Sequence, residues 1–234
     1  MIEPIDFLKE AQRLDILEKI YQLRPHWQMR NPMFGTLGTA LYLDASPNFD
    51  EYRNKVRNTN AMLHENFSFL YDHLKETLQK TLQEDVAYEE TLALPGFHIF
   101  LAPQNNIQLA LMKQTPPSIH FDLQFLQANW GNKQAETSRP VSFTASIKLP
   151  SGGGGLNYWD ITYNDYKNLS IVERDKLFNF KERHYCPYQE GKIVIHDGFT
   201  LHQIAVLDEY KTDDVRITLQ GHAIRCDQTW KIYW

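Results

Sequence analysis

The stretch SIHFDLQF, residues 118–125, alternates polar and apolar side chains along its whole length. Residues two apart in a β-strand share a face, so His120, Asp122 and Gln124 lie on one face of a strand built from this stretch. The other face carries only apolar side chains and is expected to pack against the protein. The polar face sets a histidine and an aspartate side by side, which raises the possibility that they are two ligands of a metal.

Short runs of this kind continue through the second part of the chain, bounded by Pro, Gly and Asn. The predicted strands are GFHIFLA (96–102), IQLALMK (107–113), SIHFDLQF (118–125), VSFTASIKL (141–149), GLNYWD (155–160), GKIVIHD (191–197), TLHQIAV (200–206) and VRITLQGHAI (215–224). Such a succession predicts an antiparallel barrel or sandwich. Within residues 164–184, the capping box Ser170-x-x-Glu173 predicts a short helix that interrupts the strands.

The first 90 residues have a helical pattern instead. Apolar side chains recur every three or four residues in two stripes, Ile5, Leu8, Leu14, Leu17, Ile20 and Tyr21, and then Leu63, Phe67, Leu70, Leu74, Leu78 and Leu82. The segment between them, MFGTLGTALYLDA (33–45), is predicted to form a short strand or a pair of loops. We therefore expect a single domain over 1–234, in which a helical region (1–90) packs on the outer face of a β core (92–226).

Composition limits the possible partners. The chain has 234 residues, 42% of them hydrophobic, and a formal net charge of −5 with no basic stripe, which argues against binding nucleic acid. Neither a signal peptide nor a membrane-spanning run is recognisable. Cys186 and Cys226 have no zinc-binding spacing and are expected to be free thiols. These features predict a cytoplasmic protein, and they leave the oligomeric state open.

Two further strands carry polar residues on one face. VRITLQGHAI places Arg216, Thr218, Gln220 and His222 together, and TLHQIAV places His202 on a face with Ile204 and Val206. A barrel would direct these side chains into the same interior as His120 and Asp122. Two imidazoles and one carboxylate on one side of a metal form the facial triad of non-haem Fe(II) oxygenases, in which the other coordination positions stay open.

The ordered set of these residues resembles the Fe(II)/2-oxoglutarate-dependent dioxygenases, including their prolyl hydroxylase-like branch. The family pattern is HxD, then a distal histidine, then an arginine. In this chain His120-Phe-Asp122 is followed by His202, 82 residues after His120, and by Arg216, 14 residues after His202. The segments GKIVIHDGFTLHQIAV and VSFTASIKLPSGGGGLNYWD also resemble family strands. The resemblance covers residues 92–226 and implies a double-stranded β-helix, a jelly-roll or cupin-like barrel.

The resemblance also implies a function. It makes His120, Asp122 and His202 the catalytic Fe(II) ligands, and Arg216 the partner of the far carboxylate of 2-oxoglutarate, with Thr218 adding a further bond. The implied reaction uses O2 and 2-oxoglutarate to hydroxylate a small metabolite, an amino acid or natural-product intermediate, and releases succinate and CO2. The presence of Asp122 favours hydroxylation, because halogenating members carry a small residue at that position.

Alternatives stay open at this stage. The substrate could be a protein side chain, or the chain could be a jelly-roll binding module with a structural or relic metal site. His196 is the alternative to His202 as distal ligand, and the run SGGGG (151–155) is predicted to be a turn between strands rather than a phosphate-binding loop, since no Lys-Ser/Thr follows.

Substrate contacts are expected from residues 30–45, 97–108 and 160–190. The last segment is rich in aromatic residues and is predicted to be an active-site lid, with a packing arm or a dimer contact as the alternatives. His98 and His222 are expected to have structural roles, with a contact to the pocket as the alternative. The sequence assigns no role to Gln124 or Gln220.

Overall fold

The computed structural model describes residues 2–46, 48–114, 117–205 and 211–234. The helices are α1 (Glu10–Gln22), α2 (Leu41–Asp44), α3 (Phe49–Leu82), α4 (Asn106–Gln114), α5 (Tyr163–Tyr166) and α6 (Ile171–Phe180), with 3-10 turns at Arg24–His26 and Gln124–Leu126. The strands are β1 (Pro4–Asp6), β2 (Gln28–Asn31), β3 (Phe34–Leu37), β4 (Val86–Tyr88), β5 (Gly96–Leu101), β6 (Ala135–Lys148), β7 (Gly155–Thr162), β8 (Arg183–Pro187), β9 (Lys192–Asp197), β10 (Thr200–Ile204), β11 (Val215–Cys226) and β12 (Thr229–Tyr233).

The strands form two sheets. The larger sheet has the order β1-β9-β6-β11-β5-β3-β2, with β12 pairing with both β11 and β4, and the smaller sheet has the order β10-β7-β8. Every pairing between these strands is antiparallel except that of β12 with β4. Within the described residues neither sheet closes on itself. The prediction of mainly antiparallel β structure with accompanying helices is confirmed at this level.

The main hydrophobic core joins the first two long helices to the larger sheet. Ile16 and Ile20 of α1 and Phe67 of α3 are buried in one cluster with strand residues such as Phe97 and Phe143. The ring centroids of Phe67 and Phe97 are 5.0 Å apart. Burying aromatic and aliphatic side chains of this size stabilises a fold by roughly 1.5–3 kcal/mol each, so these members of the two stripes anchor the helices. Other members of the first stripe do not, since Leu14 is exposed and Ile5 is exposed in β1.

The strand prediction for residues 107–113 is wrong, because this segment is helix α4. The side chain of Asn105 accepts a hydrogen bond from the backbone N–H of Gln108 at 2.9 Å, which is the geometry of a helix N-cap. The residues that follow include Leu, Ala and Met, which are good helix formers. Local capping and helix propensity therefore outweigh the two-residue alternation of the sequence.

The strand prediction for residues 118–125 is also wrong as secondary structure. The segment makes one isolated bridge, from His120 to His202 of β10, and then turns into the 3-10 helix at Gln124. The predicted separation of side chains holds in part, since Ile119 of the apolar face is exposed. His120, Asp122 and Gln124 line a cavity, whereas the ring of Phe121 packs against that of Tyr163, with 5.6 Å between the ring centroids. An extended backbone is enough to alternate side chains, even without a full ladder of hydrogen bonds.

The other predicted elements occur with small differences in their bounds. The capping box is present, since Ser170 N–H donates to the Glu173 carboxylate at 2.8 Å at the start of α6. Residues 33–45 contain a short strand, β3, and the short helix α2. Val206 lies outside the described residues. No helix in the described part of the chain is both long and apolar enough to cross a membrane.

Candidate active site

Both sheets contribute to one cavity of about 570 Å³. From the larger sheet it is lined by His98, Ser142, Thr144, His196, Arg216, Gln220 and His222, and from the smaller sheet by Leu156, His202 and Ile204. Residues 31–34, 42 and 117–124 supply further parts of the wall. Ligand-binding pockets typically enclose about 300–1,000 Å³, so the cavity has the size of a small-molecule site.

Backbone hydrogen bonds hold the segment that carries His120 and Asp122 beside β10. His120 N–H donates to the His202 carbonyl at 2.9 Å, His202 N–H donates to the His120 carbonyl at 3.0 Å, and Asp122 N–H donates to the Gly198 carbonyl at 2.9 Å. A Cβ atom at Gly198 would lie 3.2 Å from the Asp122 carbonyl oxygen. A residue without a side chain at position 198 therefore lets the two segments approach.

These contacts bring the predicted triad together. The ligand atoms of His120, Asp122 and His202 all lie within 4.8 Å of one another. Nε2 of His120 is 3.6 Å from Oδ1 of Asp122, and Nε2 of His202 is 3.4 Å from Oδ2 of the same carboxylate. Asp122 and His202 are buried, and His120 is half-buried.

The hydrogen bonds of the two imidazoles fit a metal site. Nδ1 of His120 is 2.9 Å from the Ser118 carbonyl oxygen, and Nδ1 of His202 is 2.8 Å from the Thr200 carbonyl oxygen. A carbonyl oxygen only accepts, so each Nδ1 carries a proton, and in the neutral imidazole Nε2 then has the free lone pair. This arrangement, in which the backbone fixes the tautomer, is typical of metal-binding histidines.

Burial favours the neutral imidazole at His202, whereas at His120 burial is outweighed by the Asp122 carboxylate, which raises the pKa of that imidazole. Burial lowers the pKa of His202 to about 4. Burial alone would raise the pKa of the Asp122 carboxyl, but the neighbouring histidines, His202 foremost, hold that pKa well below its usual range. At neutral pH the site therefore offers an anionic carboxylate and a neutral His202, which is a donor set suited to a divalent cation.

Arg216 lies in the same cavity, on β11. Its guanidinium carbon is 5.2 Å from the ring centroid of Tyr188 and 5.6 Å from that of Phe100, and the residue is only 6% exposed. Thr218 is fully buried and does not line the cavity. Its hydroxyl lies 3.4 Å from Nε2 of Gln220, which does line it.

Three more histidines surround the triad. His196 lines the cavity, with its ring centroid 4.8 Å from that of His202, but it lies outside the compact group formed by the three predicted ligands. Nδ1 of His222 lies 3.1 Å from the Ser142 hydroxyl and 4.0 Å from Oδ2 of Asp122. Nε2 of His98 lies 2.6 Å from the Tyr42 hydroxyl.

Two of the three segments expected to contact substrate reach the cavity through several residues, including Asn31, Phe34 and Tyr42 from 30–45 and Phe100 and Leu101 from 97–108. In the segment 160–190, Tyr188 lines the cavity, whereas the ring of Phe178 in α6 packs against that of Trp159, with 5.1 Å between the ring centroids. That segment also contains β8, a strand of the smaller sheet. Whether it closes over the site stays a prediction.

Tyr42 is a lining residue that was not singled out from the sequence, whereas Tyr188 was expected only as one of the aromatic side chains of the predicted lid. Tyr42 belongs to the short helix α2, and Tyr188 follows β8. Each reaches the cavity because distant segments pack together, and no local motif surrounds either residue. The only available signal was their position inside segments expected to approach substrate.

The sequence matches no protein-family model, and a search of curated proteins finds no match. Solved structures do match. One is the crystal structure of an N-substituted L-amino acid dioxygenase from Burkholderia ambifaria AMMD. The alignment spans 99% of the present chain and 85% of the dioxygenase chain, with 12% sequence identity and a TM-score of 0.52. The chain has the fold of this dioxygenase. The crystal structure of the same enzyme in complex with alpha-KG covers the same shares, with 11% identity and a TM-score of 0.51.

Proposed function

We propose that this protein is an Fe(II)- and 2-oxoglutarate-dependent oxygenase that hydroxylates a small metabolite. The observation that carries the proposal is the placement of His120, Asp122 and His202 within 4.8 Å of one another, in the same cavity as a buried arginine. The shared fold supports it, since the Burkholderia enzyme is a dioxygenase that was crystallised with alpha-KG.

Each proposed residue has a distinct task. His120 and His202 offer Nε2, and Asp122 offers its carboxylate, to Fe(II). Arg216 offers a planar cation to the far carboxylate of 2-oxoglutarate, which two parallel hydrogen bonds can hold. The bond from Thr218 to 2-oxoglutarate that the resemblance implies is not part of this proposal, because Thr218 does not line the cavity and its hydroxyl contacts Gln220.

Iron and its cosubstrate supply the oxidising chemistry when bound: one atom of O2 enters the product hydroxyl and the other enters succinate, while CO2 leaves. The protein's residues orient the reactants and exclude water. The apolar parts of the wall, such as Phe34, Phe100 and Leu156, serve the second purpose. We propose a small metabolite, an amino acid or natural-product intermediate, as the substrate, because the cavity has the volume of a small-molecule site and the Burkholderia enzyme is an N-substituted L-amino acid dioxygenase.

We further propose that the two sheets are the halves of a double-stranded β-helix, with α1 and α3 supporting the larger half. Residues from both sheets line the same cavity, which supports this arrangement. In it, residues 92–226 carry the proposed metal ligands and Arg216, and residues 1–90 support this core and add Asn31, Phe34 and Tyr42 to the cavity wall, within one domain.

The experiment is succinate release from 2-oxoglutarate by the purified protein with Fe(II) and O2. We expect the wild-type protein to form succinate and the Asp122→Ala variant to form none above the rate of free iron. Asp160→Ala is a matched control, because Asp160 makes a similar contact with a histidine, His184 at 3.2 Å, but at the surface. Undiminished consumption of 2-oxoglutarate by Asp122→Ala would refute the assignment. A protein that binds metal but never forms succinate would be a binding module.

A further inference from the structure

Among the described residues, the carboxylate of Asp122 has one side-chain hydrogen-bond partner that is not a histidine. Nε2 of Gln124 lies 3.1 Å from Oδ1 of Asp122. This distance is shorter than the contacts of the same carboxylate with His120, His202 and His222, which are 3.6, 3.4 and 4.0 Å. Gln124 is therefore the residue that holds the carboxylate most closely.

The chemistry of the pair fixes the orientation of the amide. An ionised carboxylate only accepts hydrogen bonds, so the NH2 group of Gln124 must face Asp122, and the amide oxygen must point away. Backbone geometry supports the contact. Gln124 is the first residue of the 3-10 helix Gln124–Leu126, and that turn places its side chain next to the residue two positions before it.

The amide oxygen of Gln124 has no hydrogen-bond donor among the described residues. This oxygen, Oε1, is buried. An unpaired buried oxygen weakens a fold, and such groups in native proteins call for an explanation other than stability. A methionine, which has a similar shape and no amide, would avoid that defect.

We propose that Gln124 is a positioning residue that fixes the rotation of the Asp122 carboxylate for metal binding. The inference rests on the proposed function, because it assumes that His120, Asp122 and His202 bind the metal. A hydrogen bond from Gln124 to one carboxylate oxygen prevents the group from turning about its χ2 axis. The metal then meets a carboxylate that is already oriented. Partners of this kind, one step removed from the metal, typically affect its affinity by about 10–100-fold.

Mn(II) alone is the probe, with its affinity measured from the electron paramagnetic resonance signal of the free ion. We expect Gln124→Met to weaken Mn(II) binding by about tenfold or more. The control is Gln220→Met, which removes the same chemical group from the same cavity, where the amide contacts Thr218 instead of Asp122. We expect this control to bind Mn(II) like the wild-type protein.

Thermal unfolding of the metal-free proteins separates positioning from structural support. A positioning role predicts weaker metal binding with a melting temperature close to that of the wild-type protein. A lower melting temperature with unchanged Mn(II) affinity would overturn the proposal. If Gln124→Met does not fold, Gln124→Asn keeps the amide but draws it back from Asp122, and the same loss of affinity is expected.

The outcomes also distinguish this inference from the proposed function. If the wild-type protein does not bind Mn(II), or if Asp122→Ala binds it equally well, the metal site itself is refuted. If the wild-type protein binds Mn(II) through Asp122 and Gln124→Met binds it with the same affinity, only the role of Gln124 is refuted.

Discussion

Replacing Arg216 tests the proposed cosubstrate site. In Arg216→Met most of the hydrocarbon stem is kept, and the guanidinium, which lies over the rings of Phe100 and Tyr188, is lost together with its charge. Because Arg216 is only 6% exposed, its pairing with a bound carboxylate would be shielded from water and little screened by salt. Truncating one member of such a buried charged pair costs about 2–5 kcal/mol. At 1.36 kcal/mol per factor of ten, the affinity for 2-oxoglutarate should fall by about 30-fold to several thousand-fold.

The assay is a calorimetric titration of the Mn(II)-loaded protein with 2-oxoglutarate. Arg225→Met is the matched control, since Arg225 lies on the same strand but pairs with Glu84 and Glu136. We expect the control to bind 2-oxoglutarate normally. Arg216→Lys should fall between the wild-type protein and Arg216→Met, because lysine keeps the charge and loses the planar pair of donors. An affinity of Arg216→Met close to that of the wild-type protein would refute the role of Arg216.

Three other predictions concern the ligand set, the packing beneath the site and the lid. His202→Ala should lose Mn(II) binding measured by equilibrium dialysis while His196→Ala retains it, and the reverse result would make His196 the distal ligand. Gly96→Ala should lower the free energy of unfolding, measured in urea, by about 1–3 kcal/mol, because a Cβ there would lie 2.0 Å from the Trp234 ring. Gly154→Ala is the control, since its Cβ would have its nearest contact at 3.6 Å. Equal stability of the two variants would contradict the packing. In hydrogen exchange, residues 160–190 should gain protection when Mn(II) and 2-oxoglutarate are added if they form the lid, and no ligand-dependent change across them would refute the lid.

The sequence predicted much of the site because the relevant signals are local. Alternation within β11 placed Arg216, Thr218, Gln220 and His222 on one side, and all of them except Thr218 line the cavity. The spacing of His120 and Asp122 likewise placed them together. These predictions depend only on the geometry of an extended chain, which holds whether or not the segment belongs to a regular sheet.

Other features depend on contacts between distant segments, and the sequence could not supply them. The parallel pairing of β12 with β4 and the pairing of β1 with β9 join residues far apart in the chain. Trp234 is fully buried against Gly96, and neither residue signals the other in the sequence. The misassigned strand at 107–113 has a different cause, since a two-residue alternation and a capped helix occur in the same few residues.

A crystal structure of the protein with Mn(II) and 2-oxoglutarate tests the central claim most directly, through the anomalous scattering of manganese. We expect one strong anomalous peak within coordination distance of Nε2 of His120, Nε2 of His202 and the carboxylate of Asp122. We also expect the far carboxylate of 2-oxoglutarate to contact the guanidinium of Arg216. A manganese peak on other residues, or a fully ordered cavity with no manganese at the triad, would contradict the account.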